Sequence, residues 1–168
     1  MALIVEDGSI VADADSFISL ADARTLAAKF GLTLSDDDTT AETELRQGGM
    51  YVMAQEDSMS GSRVSADQSM CYPRSDVQKY GFYVAEDAIP AELLKAQVYA
   101  AAEIHANGSP WSVDNGQVVA SESVSGAVSV SYFNTGSTGS SYVIDAVDVI
   151  LRPLLGGNGL ASFSVNRG

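Results

Sequence analysis

The segment between Ile89 and Gly108 carries the strongest helix signal in the chain, and it constrains the fold more than any other feature. Pro90 opens the segment, and proline is preorganised for the first turn of a helix. Gly108 is a typical helix end. Apolar side chains recur between them with helical spacing, at Leu93, Leu94, Val98, Ala101, Ala102 and Ile104. Because Ala96, Ala100 and Ala101 are small, a second helix can approach closely, and we predict a helical bundle.

Two other helices are predicted nearer the two ends of the chain. One begins at Ser16 or Ser19 and stops at Gly31. Its apolar stripe would consist of Leu20, Ala23, Ala27 and Phe30. The other spans about Tyr142 to Leu155.

A further helix is predicted between these two, from a cap at Thr39 to about Gln55. Gly48–Gly49 in its interior indicates either close approach of another backbone or a kink. Asp36–Asp38 precedes it. An acidic triplet invites a calcium site, but the ligand spacing of a calcium loop is absent, and acids at a helix N-terminus are the simpler interpretation. The predicted fold is mainly α, a bundle of about four helices with one β-hairpin and an extended C-terminal arm.

Residues 117–133 predict the β-hairpin. Two runs with alternating valines flank Ser125–Gly126, which is a turn composition. Val128, Val130 and Tyr132 would share one face. An isolated two-stranded hairpin is marginal in water, so we expect this one to pack on the helices or on a neighbouring subunit.

The C-terminal residues predict a docking arm. Gly156–Gly159 breaks the last helix, and the apolar residues beyond it alternate with serines as in a strand with one apolar face. We assign residues 1–156 to a helical body that includes the hairpin, and residues 157–168 to the arm. An extended segment of this kind is suited to a neighbour's sheet edge or groove. The contact residues would be Leu160, Phe163, Val165 and Arg167.

Charge disfavours one class of partner. The chain has 22 acids and 9 bases, a net charge of −13, and the bases are scattered singly. Because Lys and Arg that neutralise phosphates drive nucleic-acid binding, a firm grip on DNA by the monomer is disfavoured. An acidic wall past which DNA moves without sticking is physically sensible. No apolar run approaches the roughly 18–20 residues that span a bilayer, so no membrane partner is predicted.

The sequence contains no motif for nucleophilic catalysis, phosphate binding or a dinucleotide, and we predict neither an enzyme nor a bound cofactor or metal. Cys71 and His105 are single occurrences. A Cys–His dyad is conceivable, but a buried thiol and a helix-end histidine are the simpler interpretation. Residues 56–88 are predicted to be irregular, either packed by their aromatic residues or open to a partner. For Arg74 within them we expect a structural salt bridge.

Short motifs in a fixed order resemble a family of tailed-phage proteins. They are Met1–Gly8 with Val11–Leu20, Ser65–Gln68 followed by Tyr72–Pro73–Arg74, Ala88–Pro90 before the long helix, and Ala146–Asp148 followed by Leu151–Leu155. The central signature, Gln68, Tyr72, Pro73 and Arg74, is expected to be structural. Proteins of this family are labelled DnaT-like single-stranded-DNA-binding proteins, and they are also similar to head-to-tail adaptors, which complete the phage head beneath its portal.

The two labels imply different functions. The adaptor resemblance implies a structural virion protein, made in the host cytoplasm, that forms a dodecameric ring in the neck between capsid and tail, with DNA passing through its lumen. Its partners would be the portal protein, copies of itself and a further neck or tail protein, without sequence-specific nucleic-acid binding. The DnaT-like label implies the alternative, a single-stranded-DNA-binding replication accessory protein. The net charge favours the adaptor, whereas the aromatic residues near Tyr80 are of the kind that single-strand binders use.

Overall fold

A computed structural model describes residues 1–109 and 144–156 in full, and the backbone alone of residues 121–124 and 128–131. The predicted mainly α fold is confirmed. The described residues form four helices, which are α1 (Leu20–Phe30), α2 (Asp38–Met53), α3 (Ala91–Asn107) and α4 (Asp145–Leu151). Short 3-10 turns follow α2 and α4, at Glu56–Ser58 and Arg152–Leu154. None of the described helices is both long and apolar enough to cross a membrane.

Within the described residues, six short strands form three antiparallel pairs. The pairs are β1 (Ser62–Arg63) with β2 (Arg74–Ser75), β3 (Gln78–Lys79) with β4 (Phe82–Tyr83), and β5 (Ser121–Val124) with β6 (Val128–Ser131). The last pair is the predicted hairpin, in which Val128 lies opposite Val124 and Val130 opposite Glu122. Residues 56–88, predicted to be irregular, contain two of these pairs and one 3-10 turn, and the remainder of the segment consists mainly of turns and bends.

Local signals place the ends of the first two helices. Ser19 caps α1 by accepting a hydrogen bond from the Asp22 N–H at 3.2 Å, and Gly31 ends the helix in the left-handed conformation. The cap of α2 is Asp37, so the prediction of Thr39 is wrong. The Asp37 carboxylate accepts from both the N–H and the hydroxyl of Thr40, and a negative charge is favoured at a helix N-terminus. These hydrogen bonds lower the pKa of Asp37.

Helices α2 and α3 meet backbone to backbone at Gly48. A methyl group built at this glycine would lie 2.6 Å from the carbonyl oxygen of Gln97 and 3.0 Å from the nitrogen of Ala101. The glycine pair therefore marks close approach of another backbone, which is the first of the two predicted alternatives. Beside this contact the fully buried Gln97 amide accepts from the Phe17 N–H at 2.9 Å and donates to the Leu45 carbonyl at 2.8 Å.

The core is built around α3. Leu93, Val98 and Ala101 are fully buried, and Leu45 and Val52 of α2 are buried with them. On α1 the predicted stripe holds for Ala23 and Ala27, which are buried, and for Leu20, which is half-buried against the core. Phe30 is 46% exposed, and its ring lies tilted against that of Tyr99 with 5.9 Å between centroids. The last helical turn of α1 thus lies at the rim of the core.

The C-terminal end of the described body returns to the turn after α2. Helix α4 begins at Asp145, three residues later than predicted, and Pro153 lies in a 3-10 turn in place of an α-helical one. The Leu154 carbonyl then accepts from the Ser60 N–H at 2.9 Å, and the Gly156 N–H donates to the Ser58 carbonyl at 2.8 Å. Gly156 is therefore held to the body.

Candidate binding surface

The segment between α2 and α3 is organised by a buried arginine. The Arg74 guanidinium donates to the carbonyls of Ser60 at 2.9 Å and Gly61 at 2.8 Å, and to Glu56 Oε1 at 3.1 Å. The two carboxylate oxygens of Glu56 also accept hydrogen bonds from Nε and Nη2 of Arg63, each at 2.6 Å. The ion pair expected for Arg74 is thus present, and Glu56 joins Arg63 of β1 to Arg74 of β2.

The other signature residues lie against this cluster. Gln68 is 4% exposed, and its amide nitrogen donates to the carbonyls of Met70 at 2.9 Å and Pro73 at 3.0 Å. Its amide oxygen accepts from the Ser65 N–H at 3.1 Å. Tyr72 is fully buried, precedes Pro73 through a cis peptide bond, and has its ring 6.0 Å from the Arg74 guanidinium. All four signature residues are therefore buried, and none of them forms a binding surface.

A second feature of the segment is the aromatic hairpin, Gln78–Tyr83, formed by β3, β4 and the turn between them. Its base is fixed to the core, because Val77 is fully buried and accepts a hydrogen bond from the Val84 N–H at 2.9 Å. Tyr80 and Gly81 form the turn with φ values of 54° and 84°. Two positive φ values are what a type I′ turn requires, and asparagine is a favoured first residue there. A tyrosine at this position is uncommon.

The rings of the aromatic hairpin are exposed. Tyr80, Phe82 and Tyr83 are 75%, 77% and 74% exposed, respectively. Lys79 pairs with Phe82 across the strands and Gln78 pairs with Tyr83, so Phe82 shares a face with Lys79 and Tyr83 lies on the opposite face. Three large rings left in water at one short hairpin are a candidate contact site.

The lysine on the Phe82 face is already paired. Lys79 Nζ lies 3.1 Å and 3.0 Å from the two carboxylate oxygens of Glu92, in the first turn of α3. Burial of Glu92 would raise its pKa, but the Lys79 hydrogen bonds and charge hold the pKa below its usual value. The face therefore presents a ring beside a neutralised ion pair.

Most cations elsewhere in the described residues are also paired. Arg24 contacts Asp38, Arg46 contacts Asp15, and Arg63 and Arg74 share Glu56. With Lys79 these make five ion-paired cations among the eight Lys and Arg residues that lie in the described part of the chain. The described surface therefore has no continuous basic stripe.

Cys71 and His105 form no dyad, and the simpler interpretation, a buried thiol and a helix-end histidine, is confirmed. Cys71 is fully buried in the core, and burial raises the pKa of its thiol to about 12, so the thiol is protonated at neutral pH. His105 lies in the last turn of α3 with its Nδ1 2.7 Å from Glu44 Oε1. Within the described residues no group of three or more acidic, His or Cys side chains is arranged to hold a metal ion.

Two sets of predicted contact residues are not tested. Leu160, Phe163, Val165 and Arg167 of the arm, and Tyr132 of the predicted hairpin face, lie outside the described residues. Val128 and Val130 lie on β6, of which only the backbone is described. Their roles stay predictions.

Comparison with known protein families gives a match over the whole chain. A family model described as "Putative DnaT-like ssDNA binding protein" matches residues 1–168. The chain belongs to this family. The match confirms the DnaT-like part of the resemblance, and no match names a head-to-tail adaptor. No curated protein and no solved structure shows a significant match to this DnaT-like chain.

In this DnaT-like chain, sequence reasoning noted the aromatic residues but missed their geometry. The signal for a turn was Gly81 between the polar Gln78–Lys79 and the aromatic Phe82–Tyr83, and a tyrosine in place of the usual asparagine obscured it. The partners Glu56 and Glu92 carry no sequence signal at all, since each lies 13 or more positions from the arginine or lysine that selects it, Arg74 or Lys79.

Proposed function

We propose that the protein binds single-stranded DNA through the aromatic hairpin, with bases stacked on Tyr80 and Phe82. The observation that carries the proposal is the exposure of these two rings on a hairpin whose base is fixed to the core. Exposed aromatic side chains are the platforms on which single-strand binders stack bases. The family description supports this function over the adaptor.

The charges of the surface determine what kind of binding to expect. For a single strand, the logarithm of the binding constant falls linearly with the logarithm of the salt concentration, with a slope of roughly 0.7 for each phosphate that the protein neutralises. Because most described cations are held by carboxylates, few phosphates can be neutralised, and we expect a slope of about one or less. Stacking would supply most of the affinity, and sequence preference would be slight.

Phe82→Ala is expected to weaken binding to a fluorescein-labelled oligothymidylate, followed by fluorescence anisotropy. A stacked base contributes about 1–3 kcal/mol, so the dissociation constant should rise roughly fivefold or more. The matched control is Tyr83→Ala, which removes a ring of similar exposure from the opposite face of the aromatic hairpin. Equal losses in the two variants would contradict the assignment of the Phe82 face, and absence of binding by the native protein near physiological salt would contradict the proposed function.

Tyr80→Asn separates binding from folding in the same experiment. The substitution removes the ring at the tip and supplies a residue that the positive φ of 54° favours. The melting temperature should therefore stay constant or rise, while affinity for the oligonucleotide falls. Retained affinity would show that the tip ring does not contact the ligand.

A second candidate function, the head-to-tail adaptor, is favoured by a different observation. The described body is acidic with most of its cations paired, which suits a wall past which DNA slides. Gly156, the residue before the predicted arm, is held to the body by the hydrogen bond from its N–H to the Ser58 carbonyl. An arm formed by residues 157–168 would start from a fixed position. On this proposal the arm docks on a portal ring through Leu160, Phe163, Val165 and Arg167.

The adaptor proposal is tested by deleting residues 157–168 and measuring binding to a purified portal ring by sedimentation. The body should keep its melting temperature, because Gly156 and the residues before it are retained, and binding should be lost. Undiminished binding to the portal would reject the docking arm. Ring formation by the full chain, seen by electron microscopy, would support the adaptor.

A further inference from the structure

The lysine that shares a face with Phe82 is already paired with a carboxylate of the protein itself. Lys79 is the single cation between Asp76 and Pro90, and it lies on the same face of the aromatic hairpin as Phe82. Both of its short contacts are to the Glu92 carboxylate, at 3.1 Å and 3.0 Å. Lysine binds a phosphate as a point charge, and a carboxylate at these distances already neutralises that charge.

The position of Glu92 keeps it in this role. It lies in the first turn of α3, where the helix dipole stabilises a negative charge, and its side chain is 18% exposed. Lys95, one turn further along α3, adds a second positive charge near the same carboxylate. The helix dipole and Lys95 therefore favour the charged form of this carboxylate in addition to Lys79.

We infer that Glu92 acts as an internal competitor for the phosphate backbone at the aromatic hairpin, so that this site takes bases by stacking and excludes a phosphate contact to Lys79. The inference rests on the proposed single-stranded-DNA function and adds a residue that sets its ligand chemistry. It explains how an exposed aromatic site can exist on an acidic protein without retaining nucleic acid through charge. Removing the competitor should convert the site into one that grips the backbone.

Glu92→Gln is the direct test. The glutamine keeps the size of the side chain and leaves Lys79 with an unpaired charge. Affinity for the labelled oligothymidylate should rise about three- to tenfold at low salt, and the log–log salt slope should steepen by roughly 0.7, which corresponds to one neutralised phosphate on a single strand. The double variant Glu92→Gln with Lys79→Gln should return to the shallow native slope. Melting temperatures of all variants are measured in parallel.

Asp38→Asn is the matched control, because it changes the net charge equally and frees Arg24 in an ion pair on another part of the body. An equal gain from Asp38→Asn and Glu92→Gln would overturn the inference, because net charge alone would then explain it, while the proposed function would stand on native binding and its loss in Phe82→Ala. Binding by Glu92→Gln alone would support the inference and reject the native function. Absence of binding by every variant would reject both.

Discussion

Replacing Gly48 by valine is expected to destabilise the protein by about 3 kcal/mol, because the new side chain has no room between α2 and α3. Even a single methyl group would lie 2.6 Å from the Gln97 carbonyl oxygen, and both neighbouring atoms at that point are backbone. Overpacking a tight core contact costs about 1–3 kcal/mol, and the two further methyl groups of valine push the cost to the top of that range or beyond. For a chain of this size the melting temperature should fall by roughly 6–12 °C.

Valine itself lowers helix stability slightly, and a control substitution at an exposed position of the same helix measures that cost. Met50→Val places the same side chain on the exposed face of α2, where Met50 is 52% exposed, and should cost only about 0.5 kcal/mol of helix propensity. Gly49→Ala should be milder than Gly48→Val, since the atom nearest to its methyl group is the Gln97 side-chain nitrogen at 3.2 Å, and the nearest backbone atom, the Asp15 carbonyl oxygen, lies at an ordinary 3.5 Å. If Gly48→Val and Met50→Val melted at similar temperatures, the close contact of the two helices would be wrong.

The elements that sequence predicts well are those whose signals are local. The start of α1 at Ser19 and its end at Gly31 follow from a hydroxyl cap and a left-handed glycine. The face of α3 follows from its spacing, and Gly48–Gly49 indicates where a neighbour approaches. In the capping of α2, several adjacent polar residues can each cap a helix, and the geometry of one turn selects Asp37 over Thr39.

The elements that sequence misses depend on partners chosen in three dimensions. Strands β1 to β4 have two residues each, too few for an alternation to appear. Gln97 is one polar residue on an otherwise apolar face, and its partners, Phe17 and Leu45, come from other parts of the chain. The candidate site was therefore visible in composition, as a group of aromatic residues, while its faces and the role of Glu92 required coordinates.

Replacing Arg74 by methionine is expected to cost about 3–5 kcal/mol, the range for removing one partner of a buried ion pair. The Arg74 side chain is 7% exposed, and loss of its guanidinium leaves the carbonyls of Ser60 and Gly61 without their charged donor. Arg74→Lys keeps the charge but cannot form the forked contacts, so its loss of stability should be intermediate. Arg24→Met, in an exposed pair with Asp38, should cost under about 1 kcal/mol.

The pH dependence of the stability lost in Arg74→Met tests whether Glu56 is the partner of Arg74. Hydrogen bonds from Arg63, together with the charges of Arg63 and Arg74, outweigh burial and hold the pKa of Glu56 below its ordinary value of 4.5. A carboxyl whose pKa is lower in the folded state contributes stability above the unfolded value and loses it as the pH falls through the folded value. Urea unfolding from pH 7 down through the range below 4.5 should therefore show the gap between native protein and Arg74→Met narrowing. A gap that stayed constant with pH would mean that Arg74 acts through its backbone carbonyls alone, and a gap under 1 kcal/mol at pH 7 would refute the buried cluster as the organiser of this segment.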